Sequence, residues 1–461
     1  MSGGARLPSL SVVAGAAVAL AGLALGTTAL GDNSFFTHLA TGRLLLDHGI
    51  PKSDPYSFTA PGHPWVVQSW LPSLLYGLVD RSWGGHGLVL LRAVQTGVLA
   101  ALVWRLTRPA ETLISRIVVV APVLFLGAVL WTSRPLLFGL LLLAGCALLA
   151  EEERISPWWL VPIGWLWVNS HGSFPFGPLY FLCRVAGRAL DRGATGRAAR
   201  LFSFSVLGVV LGALSPLGPK LLVFPLHVLG QREVMSKIVE WRTPNFSEPW
   251  YLAFLLELVL ALVLLMRRPS WEDGIVAVVF GVAGCIALRN TVVASIVLVP
   301  ILARGAAGIG AVRGDRRSGL ALVACAAIAL MGVVIVSNSF DRPAYNLSRY
   351  PVAELRWMGR EGMLSRRVAA QDFVGNLRTL REGPRARVFM DDRYDMYPVR
   401  VSSDFLDLNE GVSESLAILD RYRIDVVLWE RKKPLAGMLA LDTAHWRVVH
   451  TTKKWIVAER V

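Results

Sequence analysis

Charge is scarce in this chain, and so is cysteine. Only 17% of its 461 residues are Asp, Glu, Lys or Arg, where a soluble chain of this length carries roughly 25%. Beside 54% hydrophobic residues and a mean hydropathy of +0.50, that deficit excludes both a disordered protein and a soluble enzyme. The four cysteines, Cys146, Cys183, Cys285 and Cys325, all lie in apolar runs. They read as small buried hydrophobes, with no disulfide framework and no cysteine-based zinc site. A Gly-rich phosphate fingerprint, a P-loop and a Ser/His/Asp motif are missing, and no internal repeat is visible.

What is there in abundance is apolar sequence in blocks of helical spanning length. Stretches near 9–30, 86–104, 112–132, 135–150, 157–169, 173–190, 201–215, 249–266, 272–288, 291–303 and 319–337 give about eleven transmembrane helices. Their interiors are rich in Gly, Ala and Ser, which let helices approach closely in lipid. Residues 1–337 hold 26 Lys+Arg and 16 Asp+Glu, and residues 338–461 hold 21 and 17 at far higher density. The chain therefore divides into a membrane domain, 1–337, and a polar domain, 338–461. The net charge of +14 serves the bilayer, and nucleic acid is not the partner it implies.

Basic residues cluster on alternate connections: Arg105 and Arg108; Arg154; Arg188, Arg192, Arg197 and Arg200; Arg267 and Arg268; Arg304, Arg313, Arg316 and Arg317. By the positive-inside rule these are cytoplasmic. With an odd number of spans, the N-terminus is inside. The loops 32–85 and 216–248 and the C-terminal domain then lie outside the cytoplasmic membrane. The outer turns carry single cations, Arg134, Lys220 and Arg289.

The first outer loop begins at Asp32. Phe35, Phe36, Leu39, Leu44 and Leu46 recur at helical spacing until Gly49 and Pro51, which predicts an amphipathic helix in the interface. A turn-rich stretch through Asp54 and Trp65 leads to a second such helix, from about Trp70 to Val79. Further polar side chains lie on the same outer face: His38, Asn169 and His171, Arg134, Glu240 and Arg242, and Arg289. Glu257 is the one acid well inside a predicted span, a position that is functional or helix-pairing by default.

The run Asp32, Phe35-Phe36, His38-Leu39, Gly42-Arg43, Gly49-Ile-Pro-Lys-Ser-Asp-Pro-Tyr-Ser-Phe-Thr59, Trp65 and Trp70-Leu71 resembles a bacterial multi-spanning family of the GT-C glycosyltransferase class. Later matches are Ser133-Arg134-Pro135, Trp167-Val-Asn-Ser-His-Gly172, Ser215-Pro-Leu-Gly218, Glu240-Trp241 and Arg387-Val-Phe-Met-Asp-Asp-Arg-Tyr-Asp-Met-Tyr397. The resemblance implies a polyprenyl-phosphate sugar donor and makes Asp32 the general base or a ligand to a divalent metal. Where many relatives carry Asp-x-Asp and a tryptophan pair, this chain has Asp32-Asn-Ser34 and Phe35-Phe36.

In the polar domain, 338–352 reads as a tether and Val352–Arg381 as a charged helix. Strands are expected at 386–391, 424–430, 446–451 and 455–459, with a helix at 414–423 capped by Ser413. That pattern is a small α/β domain, with an acid cluster of Asp391, Asp392 and Asp395 following its first strand.

The fold expected is thus an α-helical, GT-C-like polytopic membrane protein with a small extracytoplasmic α/β domain. Its expected activity is sugar transfer from a lipid-phosphate donor to a cell-envelope acceptor. Asp32 is the base with His38 beside it; Arg134, Lys220, Arg242 and Arg289 receive the phosphate; Asp54, Asn169, His171 and Glu240 support them. The alternative is a non-catalytic transporter, flippase or scaffold for lipid-linked precursors, which would place polar residues through the membrane.

Overall fold

The computed structural model describes residues 7–310 and 316–461. Arg313, counted above among the cytoplasmic cations, lies outside the described residues. The chain forms two compact units. The first comprises residues 1–30, 82–222 and 239–344, and the second residues 31–81, 223–238 and 345–461.

The first unit is helical. Each apolar stretch of the sequence folds as a helix, and among the described residues four helices are long and apolar enough to cross a membrane: Trp70–Ala110, Leu113–Leu130, Leu288–Gly305 and Gly319–Phe340. Shorter apolar helices include Leu10–Gly26, Leu136–Glu151 and Pro249–Leu265. The Thr291–Gly305 helix is the core of the unit, with nearly every side chain buried. Gly319–Phe340 is its opposite, an apolar helix with only Ala321 and Ser339 buried. Its exposed face suits lipid, which asks for no polar face. The Leu160–Ser170 and Gly196–Leu211 helices touch backbone to backbone. A Cβ on Gly164 would stand 2.7 Å from the carbonyl carbon of Gly208, the close approach that small residues permit.

Arginines that the apolar runs conceal satisfy backbone groups at helix ends. Buried Arg92 donates to the Gly26 carbonyl at 2.8 Å, where the first helix stops. Arg116 donates to the Trp104 carbonyl at 2.8 Å and lies 4.0 Å over the Trp104 ring. The end of the Leu136–Glu151 helix carries a network of ion pairs. Glu151 binds Arg184 at 2.7 Å and also Arg304; Arg184 and Arg188 bind Glu272 at 2.6 and 2.8 Å; Arg304 reaches Asp273 through Nε at 2.9 Å. Glu257, buried at 2% exposure, accepts a hydrogen bond from Ser295 at 2.6 Å, pairing two helices.

The second unit joins the segment 31–81 to the polar C-terminal part of the chain. Its amphipathic helix runs Asn33–His48 and ends at Gly49, whose φ of 76° a side chain would resist. The following helix starts at Trp70 and continues to Leu106, with non-helical backbone at Gly84. The sheet has four strands, β1 (Val368–Ala370), β2 (Val426–Glu430), β3 (Trp446–Thr451) and β4 (Trp455–Arg460), in the order β1-β2-β4-β3. β1 and β2 are parallel, with Ala370 opposite Leu428; the other pairs are antiparallel.

Three expectations for this unit are corrected. The charged stretch 352–381 is not one helix. It breaks into Val352–Arg360, β1 and Asp372–Glu382. Residues 386–391 are not a sheet strand, because Val388 spends its backbone groups on the first outer segment: its N–H donates to the Tyr56 carbonyl at 2.9 Å and its carbonyl accepts from Phe58 at 3.1 Å. The helix expected at 414–423 spans Ser415–Arg421, with Glu414 at its N-cap and the Ser413 hydroxyl bound to the Glu414 carboxylate. A helix at Val399–Glu410 precedes it.

Candidate functional site

In the second unit, Asp32 sits at the N-cap of the Asn33–His48 helix with extended backbone, and its carboxylate accepts from the Phe35 N–H at 3.4 Å. The helix end supplies partial positive charge there. His38, one turn along, places Nδ1 3.2 Å from the Ser73 hydroxyl. Asp392 joins the same first turn: its carboxylate is hydrogen-bonded by the hydroxyls of Ser34 and Thr37, the latter at 2.9 Å.

Asp54 is buried nearby in sequence but built into the fold. It accepts from the N–H groups of Tyr56 (3.1 Å) and Ser57 (3.0 Å) and from Arg393 at 2.7 Å. The Arg393 guanidinium also grips Asp391 at 2.7 and 2.8 Å and lies 4.4 Å from the Trp65 ring. Asp395, pushed up to about 6 by burial, has its carbonyl 3.1 Å from His227 Nε2.

In the first unit, Arg134 pairs with Glu240 at 2.6 Å. The Arg289 guanidinium lies 4.7 Å over the Trp241 ring, a cation–π contact, and the Leu288 N–H donates to the Arg242 carbonyl at 2.9 Å. Arg289 Nη2 also stands 3.3 Å from His171 Nε2. The other ring nitrogen of His171, Nδ1, accepts from the Ser173 N–H at 3.1 Å and meets the Ser173 hydroxyl at 2.9 Å. That hydroxyl accepts from the Trp167 indole at 3.0 Å. The imidazole of His171 thus stands between Ser173 on its Nδ1 side and Arg289 on its Nε2 side.

Of the cations singled out in the sequence, Arg134 and Arg289 thus come together through Glu240 and Trp241. Lys220 is exposed at the start of the Lys220–Gly230 helix, and among the described residues no hydrogen bond or ion pair reaches its ammonium. Asn169 is wholly buried and ties two helices together through the carbonyls of Trp165 (2.8 Å) and Gly212 (3.3 Å). Among the described residues no group of three or more His, Cys, Asp or Glu side chains is placed to hold a metal ion. Sequence reasoning gave no site role to Trp241, Ser173, Ser34 or Thr37, although Trp241 and Ser34 stand in the motifs that carry the resemblance; the hydroxyls that follow Asp32 were the one further signal.

No protein-family model matches the chain, and no curated protein sequence does. Its helices make it an α-helical membrane protein with a small mixed sheet, and its fold is similar to that of one solved membrane enzyme. The likeness is to an archaeal oligosaccharyltransferase, AglB of Archaeoglobus fulgidus, solved in complex with an inhibitory peptide and a dolichol-phosphate. It has a TM-score of 0.53 at 10% identity and covers 94% of this chain and 70% of that one.

Proposed function

We propose that the chain is a membrane glycosyltransferase. It moves a hexosyl or pentosyl group from a polyprenyl-phosphate donor to a cell-envelope acceptor on the outer face of the cytoplasmic membrane, with about eleven helices crossing that membrane. The observation that carries the reading is the gathering of Arg134, Arg289 and His171 in the first unit around Glu240 and Trp241, cations of the kind that give charge-assisted hydrogen bonds to a phosphate. The fold supports it, since the oligosaccharyltransferase that shares it was solved with a dolichol-phosphate.

In the reaction, an acceptor hydroxyl attacks the anomeric carbon. The new C–O bond forms as the bond to the phosphate oxygen breaks, and the acceptor's proton passes to the Asp32 carboxylate. Polyprenyl phosphate leaves with the bonding electron pair, its charge met by Arg289, His171 and Arg134, with Arg242 and Lys220 as further cations. His38 orients the acceptor beside Asp32.

The test is turnover by the full chain in proteoliposomes, offered a panel of undecaprenyl-phosphate-linked hexoses and pentoses and read as released undecaprenyl phosphate. Asp32→Asn should lower the rate about 10²–10⁴-fold at unchanged folding. An undiminished rate in that variant would remove Asp32 from the chemistry.

A further inference from the structure

A groove of about 650 Å³ lies wholly within the first unit, between the Leu10–Gly26 helix, residues 94–101 of the Trp70–Leu106 helix, and the Gly319–Phe340 helix. Pockets that hold small ligands have volumes of about 300–1,000 Å³. The walls are apolar and set back by small residues, among them Ala16, Ala19, Ala101, Ala329 and Gly332. Cys325 and Ser337 bring the only polar side-chain atoms to its lining.

One end of the groove is charged. The Leu10–Gly26 and Gly319–Phe340 helices start side by side there. The Leu10 N–H donates to the Arg316 carbonyl at 3.1 Å, and Ser9 pairs with Arg317 in an antiparallel bridge. The Arg317 guanidinium reaches the Leu7 carbonyl at 3.5 Å. Both arginines are exposed, and among the described residues no carboxylate pairs with either. At about 1.5 Å per residue, the groove begins roughly 9 Å beyond Gly319, at Cys325, and runs roughly 18 Å further to Ser337. One leaflet of hydrocarbon is about 15 Å deep, half of the bilayer core. The groove thus has the length of one lipid chain, and the interval before it has room for a glycerol backbone.

We propose that the groove holds one anionic phospholipid, with a single acyl chain lying along it and the phosphate received by Arg316 and Arg317. Apolar burial alone gives no preference, since the surrounding lipid is as apolar as the groove. Retention comes from the contacts of a chain enclosed by three helices and from charge-assisted hydrogen bonds between guanidinium and phosphate. Basic sites between membrane helices bind acidic head groups in this way. A zwitterionic head group would bring its own ammonium against the arginines and be held less well. The sugar donor is a different lipid with a different place. Arg316 and Arg317 belong to the connections that the sequence assigns to the cytoplasm, and Arg134 and Arg289 to the outer turns. The phospholipid would therefore bind whether or not the chain transfers sugar.

Native mass spectrometry of the full chain, released from nanodiscs of phosphatidylglycerol and phosphatidylcholine in equal parts, tests the proposal. The wild type should retain one phosphatidylglycerol, with a preference over phosphatidylcholine of about tenfold from two cations. Arg316→Gln combined with Arg317→Gln should erase that preference. Ala101→Phe combined with Ala329→Phe fills the groove at positions that are already exposed, and should abolish retention of either lipid in a chain that stays folded by circular dichroism. Should this variant fail to fold, the arginine pair decides alone. Four results would overturn the proposal: no retained lipid, no head-group preference in the wild type, a preference unchanged without the two arginines, or a lipid kept by the folded phenylalanine variant. Undecaprenyl phosphate, added at the same mole fraction, should leave phosphatidylglycerol in place; its displacing that lipid would assign the groove to the donor instead.

Discussion

Five aspartates of the second unit show how surroundings decide what a carboxylate does. Asp54 and Asp391 are locked to Arg393 and to backbone N–H groups, and all three side chains are buried. Removing one partner of such a group typically costs about 3–5 kcal/mol because the other charge is stranded. Asp32 and Asp392 keep some exposure and sit on a helix end that favours anions. Asp395 is different again, since burial raises its ionisation to about 6. A carboxyl whose folded value lies above its unfolded value of about 3.9 binds its proton more tightly when folded. Its neutral form is therefore no burden below about pH 4, and stability is lost as pH rises through about 6. Asp395→Asn should accordingly raise the apparent Tm of the full chain at pH 7.5. The gain should be about 1–2 kcal/mol after allowance for partial exposure, and should vanish near pH 4. A gain of equal size at both pH values would show that ionisation of Asp395 is not its source.

At the scale of elements, legibility followed the length and period of each pattern. The Asn33–His48 helix was plain in the sequence because apolar residues recur through it from Phe35 to Leu46 and Gly49 stops it. β1 was hidden, being three residues long beside Arg366 and Arg367. Residues 388–390 look like a strand, yet their partner is Tyr56–Phe58, over 300 positions away, and no local period announces that. The cap at Asp32 could be read for the same local reason, whereas the approach of Arg289 to His171 depends on how distant helices pack. Tyr350 lies in a stretch that reads as a tether, because its contacts with Phe36 and Phe373 are long-range. Helix pairing also yields a prediction. A Cβ on Gly42 would fall 2.0 Å from the Ser73 carbonyl oxygen, so backbone itself must move. Gly42→Ala should destabilise the second unit by about 1–3 kcal/mol, measured as a lower apparent Tm; an unchanged value would mean that the two helices can separate freely.

For the whole molecule, orientation is the property from which the proposed chemistry follows. The loop 188–200 should face the cytoplasm and Val461 the opposite side, as the distribution of arginines implies. A reporter active only in the cytoplasm should work when inserted near Gly193 and fail when fused after Val461; the reverse pattern would place Asp32 on the wrong side for an envelope acceptor. The buried arginines at helix ends bear on the transporter alternative as well. Arg92 and Arg116 cap backbone carbonyls, the Glu151 network joins side chains at one end of its helix, and Glu257 in mid-helix is spent on Ser295.

The second unit is assembled from three separated stretches of chain, and this imposes an order in time. Its opening segment is complete at Arg81, but the 263 residues from Ser82 to Ala344 must be made before Tyr345 appears. At about 5–20 residues per second the wait is roughly 13–50 s. Throughout it, Phe35, Phe36 and Leu39, all buried in the finished unit, have no partner from the chain's end. The apolar side chains of this helix are thus made long before the residues that bury them, and the unit closes only once Tyr345–Val461 has been synthesised.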